Sequence, residues 1–143
     1  MKRIIGLLLL PFLIFSCQRK ADHLWPPSLE GSWKMTAVKN QATGLFTTKP
    51  AGIPGEVEII FAAVNGNKGI FSGKTPTNAF NGHYSTSEGR FITIPAVSAS
   101  KVVETSWGLD FLMSITSALE YTFEAGDKLI ITTPDYQLYF QRQ

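Results

Sequence analysis

Acid–base or metal chemistry in this chain would have to pass through two histidines, His23 and His83. His23 lies in a polar stretch that ends in prolines. His83 alternates with apolar residues in Phe80–Tyr84, as a solvent-facing strand residue does. Neither has Cys, Asp or Glu neighbours at metal-ligand spacing, so no metal and no other cofactor is expected. A hydrolase would need His83 as its base, but no Gly-x-Ser-x-Gly turn presents a nucleophile to it. Glu56 and Glu58 are two residues apart and share one strand face, the arrangement of a paired-carboxylate acid–base site. A solvated strand face accounts for them more simply, and for Glu120 and Glu124 likewise. Gly73-Lys74-Thr75 lacks the upstream glycine and the following helix of a phosphate loop. These patterns point away from an enzyme.

Cys17 is the one residue with a strong chemical reading, and it is the only cysteine in the chain. Met1-Lys2-Arg3 is a positive head, and Ile4–Phe15 is apolar except at Gly6, with Pro11 as the other break. That is the plan of a secretory signal. It is too short for a transmembrane helix, which needs roughly 20 apolar residues. Leu13-Ile14-Phe15-Ser16-Cys17 resembles the bacterial lipobox, which implies cleavage after Ser16 and acylation of Cys17. Each buried acyl methylene contributes about 0.8 kcal/mol to membrane attachment. The expected division is a signal peptide over 1–16, a tether over 17–28 and one domain over 29–143. Gln18, Arg19 and Lys20 lack the acidic cluster that marks surface export in Bacteroidetes-type lipoproteins. This favours a lipid-anchored position at the outer membrane, facing the periplasm.

Charge narrows the partners. The chain carries 13 Lys and Arg residues against 11 Asp and Glu. Lys2 and Arg3 belong to the signal segment, and without them the charges balance. A neutral domain with no run of like charge offers no footprint for nucleic acid and no polybasic membrane patch.

The elements that would position any site are mostly strands. Leu29, Trp33, Met35 and Ala37 alternate with Ser32, Lys34 and Thr36 in an opening strand. Lys39–Gly55 is a long polar connection, expected to be mobile. Gly55–Ala63 follows with Val57, Ile59 and Phe61 inward, and Asn65-Gly66-Asn67 is a hairpin turn. Ile70–Tyr84 forms the centre: two apolar pieces flank a corner at Lys74–Asn78, where Pro76 cannot donate to a ladder and Asn78 tolerates left-handed backbone. Gly73 and Gly82 mark places where a neighbour approaches closely. Arg90–Ile94 is another strand. The period then changes to that of a helix, with Trp107, Phe111, Ile115 and Leu119 on one face beside Leu112 and Ala118. Asp110, Ser114 and Ser117 are expected on the opposite face, and Gly108 weakens the first turn. Tyr121–Ala125, Lys128–Thr133 and Tyr136–Arg142 close the chain. The prediction is a mainly β fold: a closed antiparallel barrel or curled meander of about eight strands, with one helix before the last three.

Asn78-Ala-Phe-Asn-Gly-His-Tyr84 resembles the Asn-x-Phe-x-Gly-x-Tyr core of META domains, the HslJ-like bacterial envelope proteins. Leu29-x-Gly31-x-Trp33, the helix and the closing Tyr-x-Phe and Lys-Leu-Ile-Ile strands fit the same order. Many META domains carry one cysteine just before that asparagine and another before the helix. Thr77 stands at the first position here and no cysteine lies near Val102–Thr105, so a disulfide is excluded. A second resemblance is to lipocalins, through Gly31-Ser32-Trp33 and an Arg142 able to pack over Trp33. The helix precedes three strands here but typically one in lipocalins, which places META nearer.

The absence of catalytic patterns beside the export signal points to a non-enzymatic structural or interaction module, META-like by resemblance, that meets other envelope components through Lys39–Gly55 and the corner from Lys74 to Asn78. The lipocalin resemblance implies a carrier holding a small apolar ligand among Trp33, Phe61, Phe80 and Tyr84. Trp107 and Phe111 would line such a cavity or, more simply, pack the helix onto the barrel.

Overall fold

The computed structural model describes residues 27–143. The expected signal peptide, Cys17, His23 and most of the tether lie outside the described residues.

The chain runs β1 (Gly31–Asn40), β2 (Phe46–Thr48), β3 (Glu58–Asn65), β4 (Lys68–Lys74), β5 (Ala79–Ser87), β6 (Phe91–Thr93), β7 (Val97–Ala99), α1 (Ser106–Ile115), β8 (Glu120–Glu124), β9 (Lys128–Thr132) and β10 (Tyr136–Arg142). Eight strands form one antiparallel ring in the order β1, β3, β4, β5, β6, β8, β9, β10, and β10 closes onto β1. Closure leaves the ring itself without a free edge. β2 and β7 lie outside it, on β1 and β5 respectively. The thinnest seam is β6 to β8, with the single pair Phe91–Glu120.

Alternation drives the ring strands as predicted. Val57, Ile59, Phe61, Phe71, Phe80, Tyr84, Leu129, Ile131, Leu138 and Phe140 all join one buried core. Each such side chain gains about 1.5–3 kcal/mol from burial. β1 departs from strict alternation. A bulge between Met35 and Ala37 resets its phase, so Val38 rather than Ala37 continues the core cluster opposite Leu138. The bulge inserts one unpaired residue, Thr36, and bends the strand round the barrel.

The glycines of the central hairpins make room for aromatic rings. Across the β4–β5 ladder Gly69 pairs with Tyr84, Phe71 with Gly82, and Gly73 with Phe80. A Cβ on any of these glycines would collide with the ring opposite. The rings lie flat over bare backbone, which lets three aromatics fit on one side of two strands.

The helix closes one end of the ring. Thr105 caps it, accepting from the Gly108 N–H at 3.1 Å. Phe111 meets Phe80 at a centroid distance of 5.0 Å and Phe140 at 6.4 Å. Two expectations are corrected here. The helix stops at Ile115, because Ser117 and Ala118 donate to the carbonyls three residues back. Leu119 then joins the ladder through the Thr132 carbonyl and stands exposed. Ser114 is buried, not outward, since it shares the line of Trp107, Phe111 and Ala118 at steps of four, three and four.

Candidate functional site

At the helix end, the corner from Lys74 to Asn78 is held from within. Thr75 N–H donates to the Asn78 carbonyl at 2.7 Å, and Asn78 N–H donates back to Thr75 Oγ1 at 3.0 Å. The Asn78 amide then ties three segments together. Its Nδ2 donates to the Val102 carbonyl at 3.0 Å and to Glu104 Oε2 at 2.7 Å. Its Oδ1 accepts from Ser100 Oγ at 3.0 Å and Val102 N–H at 2.9 Å. Thr75 Oγ1 also donates to Glu104 Oε2. Burial alone would raise the Glu104 pKa, but hydrogen bonds from Asn78, Thr75, the Thr105 backbone and Thr77 outweigh it and hold the pKa below its ordinary value. Asn78 does not use the left-handed backbone that its side chain would tolerate. Positive φ among described non-glycine residues occurs at Glu88 and Ala125. Asn78 is buried for its amide, and the corner is a structural clip more than an outward contact surface. Lys74 points away from it, pairing with Glu58 at 3.2 Å on the outer wall.

Gly108 acquires a reason in the same place. A Cβ there would strike the Glu104 side chain. The glycine that costs helix propensity is the space in which the carboxylate sits.

The proposed apolar-ligand residues do come together, but on one another. Trp33, Phe61, Phe80 and Trp107 are at most 2% exposed. Phe61 meets Tyr84 edge-on at 5.2 Å and Phe71 at 6.0 Å, and Phe71 meets Phe80 at 6.2 Å. These rings occupy the barrel interior that a ligand would need. Trp107 keeps one loose end: its indole N–H is buried with no acceptor among the described residues.

At the opposite end Arg142 lies over the Trp33 ring at 4.2 Å, as predicted. Its guanidinium also donates to the Glu30 carbonyl at 2.9 Å and the Ser28 carbonyl at 2.7 Å. Trp33 Nε1 donates to the Leu29 carbonyl at 2.8 Å. Together these bonds staple the last tether residues across the mouth of the barrel. Beside them opens a polar cleft of about 260 Å³, lined in part by Glu30, Asn67, Lys68, Tyr84, Thr86 and Tyr121. Burial raises the pKa of both tyrosines, and for Tyr84 the charge of Glu30 and the neighbouring Tyr121 add to it. In the sequence Tyr84 reads as an interior residue, and no local pattern brings Tyr121 or Glu30 to it. The ladder offset that brings Glu30 beside them is a property of the closed ring.

The outer wall carries a separate apolar surface. Ile60, Val64 and Ile70 are 45–63% exposed. Next to them a shallow cleft of about 430 Å³ runs past Ile70, His83 and Pro95. His83 thus faces outward from a strand, as expected. The Lys39–Gly55 connection is tacked down more than its composition suggested: β2 pairs with β1, Phe46 packs edge-on to Tyr139 at 5.2 Å, and Lys49 pairs with Glu56 at 3.1 Å. Leu45 and Phe46 stay exposed on it. Among the described residues no three His, Cys, Asp or Glu side chains are grouped to hold a metal, and no helix is long and apolar enough to cross a membrane.

No protein-family model, no curated protein and no solved structure matches this chain.

Proposed function

We propose that the chain is a lipid-anchored, non-enzymatic envelope protein of META or HslJ-like type, acting as a structural or interaction module. The observation that carries this reading is that Trp33, Phe61, Phe80 and Trp107 are all buried in one hydrophobic cluster, in which Phe61 and Phe80 each meet Phe71, so that side chains fill the barrel interior. A filled barrel works through its surface. Ile60, Val64 and Ile70 on the wall and Leu45 and Phe46 on the β1–β3 connection are among the exposed apolar groups available for contact, with Val103 and Met113 near and on the helix. The motif from Asn78 to Tyr84 supports the META resemblance in a physical way. Its Asn makes the clip, and its Phe, Gly and Tyr are the interlocked ring-over-glycine positions. Where many META domains have cysteines, this chain joins the same two segments by the Asn78 and Glu104 hydrogen bonds.

A second reading, a lipocalin-like carrier of a small apolar ligand, draws on the Arg142–Trp33 contact and on the unmatched Trp107 N–H. Native mass spectrometry of the chain purified from its own host, in gentle detergent, separates the two. The module reading expects the protein alone or with another polypeptide. A stoichiometric small apolar molecule would replace it with the carrier reading. The anchor is tested separately: Cys17→Ser should move the protein from the membrane to the soluble fraction. Unchanged membrane retention would refute acylation at Cys17.

A further inference from the structure

We propose that the barrel mouth beside the tether is a binding site for a small, neutral, hydroxyl-rich ligand of the saccharide class. The inference goes beyond the module reading and does not depend on it.

The first ground is the chemistry of the lining. Tyr84, Tyr121, Thr86, Asn67, Glu30 and Lys68 all line one cleft, so its wall carries hydroxyl, amide, carboxylate and ammonium side chains. Hydroxyls and amides both donate and accept, and so do sugar hydroxyls. One carboxylate and one ammonium balance each other, which argues against a ligand with strong net charge. The half-buried Tyr121 ring, set edge-on to Phe123 at 5.7 Å, offers an apolar face of the kind a pyranose ring covers.

The second ground is an unspent polar group. Tyr84 is only 7% exposed as a residue, but its hydroxyl is not itself buried: it opens on the cleft that Tyr84 lines and has no hydrogen-bond partner among the described residues. The Tyr84 ring is fixed against Gly69 and Phe61, so its hydroxyl is held in place at the cleft.

The third ground is size. At about 260 Å³ the cleft lies just below the range of drug-sized sites, roughly 300–1,000 Å³, and suits one or two sugar rings. The staple from Arg142 to Ser28 and Glu30 builds one wall from backbone, so the site is pre-formed.

The test is a nuclear magnetic resonance titration of the full chain, with Cys17→Ser for solubility, using N-acetylglucosamine and glucose as probes and glycine and acetate as charged controls. Saturable shifts confined to the amides around Asn67, Lys68, Thr86 and Tyr121 are expected with a sugar. Tyr84→Phe, which keeps the ring over Gly69, should weaken binding about tenfold, the value of one neutral hydrogen bond. Tyr121→Phe should do the same. Shifts with glycine or acetate but not with sugars would overturn the ligand class. Absence of shifts up to high millimolar sugar, or binding indifferent to both tyrosine variants, would overturn the site.

Discussion

Two corners of this barrel are built from the same four-residue turn and end in different roles. Thr75-Pro76-Thr77-Asn78 and Thr133-Pro134-Asp135-Tyr136 both place a buried threonine first and a proline second. In each, the threonine N–H donates to the fourth carbonyl, at 2.7 and 2.8 Å, and the fourth N–H returns a bond to the threonine hydroxyl, at 3.0 Å in both. The turn is therefore local chemistry: proline fixes φ, and the hydroxyl satisfies the backbone. The fourth residue makes the difference. Asn78 carries an amide inward to Glu104, Ser100 and Val102, joining strand, crossover and helix. Tyr136 carries a ring to the core, and its corner is held from outside by the backbone and side chain of Gln41. One corner is a node of the fold and the other a bend.

If that contrast holds, Asn78→Ala has the largest effect. It strips partners from a part-buried carboxylate and a backbone N–H, and should cost about 3 kcal/mol in urea unfolding. The threonines sharpen the comparison directly. Thr75→Val loses the turn bonds and the bond to Glu104, and should cost about 2 kcal/mol; Thr133→Val loses only the turn and should cost about 1 kcal/mol. Equal losses would mean the corners are equivalent. Gly108→Ala tests the clip from the helix side. In an ordinary helix it would gain about 1 kcal/mol. Here the new methyl displaces Glu104, so a net loss of about 1 kcal/mol is expected, and a gain would show that the carboxylate is free to move.

Acid gives the smallest effect. The folded pKa of Glu104 lies below its ordinary value of 4.5, so the unfolded chain takes up the proton first. The stability Glu104 contributes is complete above pH 4.5 and is lost as pH falls through the folded pKa. Wild type should therefore lose more stability than Glu104→Gln in that window, in matched unfolding curves.

The strand pattern was legible because alternation is local. Val57, Ile59 and Phe61, or Phe80, Gly82 and Tyr84, declare their faces without help. That a helix begins about Trp107 was legible from its period, but its end was not. Leu119 continues the apolar spacing and is claimed by a ladder bond to Thr132, which no local rule contains. Asn78 was singled out for a turn and turned out to matter through partners 22 to 26 residues away. Gly108 read as a weakness because its counterpart, Glu104, precedes the cap and looks like loop. The mouth was hidden for the same reason: Glu30, Tyr84 and Tyr121 meet only once the ring is closed.

The clip is tested most directly by a double-mutant cycle between Asn78 and Glu104. Unfolding free energies of wild type, Asn78→Ala, Glu104→Ala and the double variant should give a coupling of about 2 kcal/mol. A coupling under about 0.5 kcal/mol would show that the two residues act independently. Asn78 would then be an ordinary turn residue, and the helix would be held to the barrel by its apolar face alone.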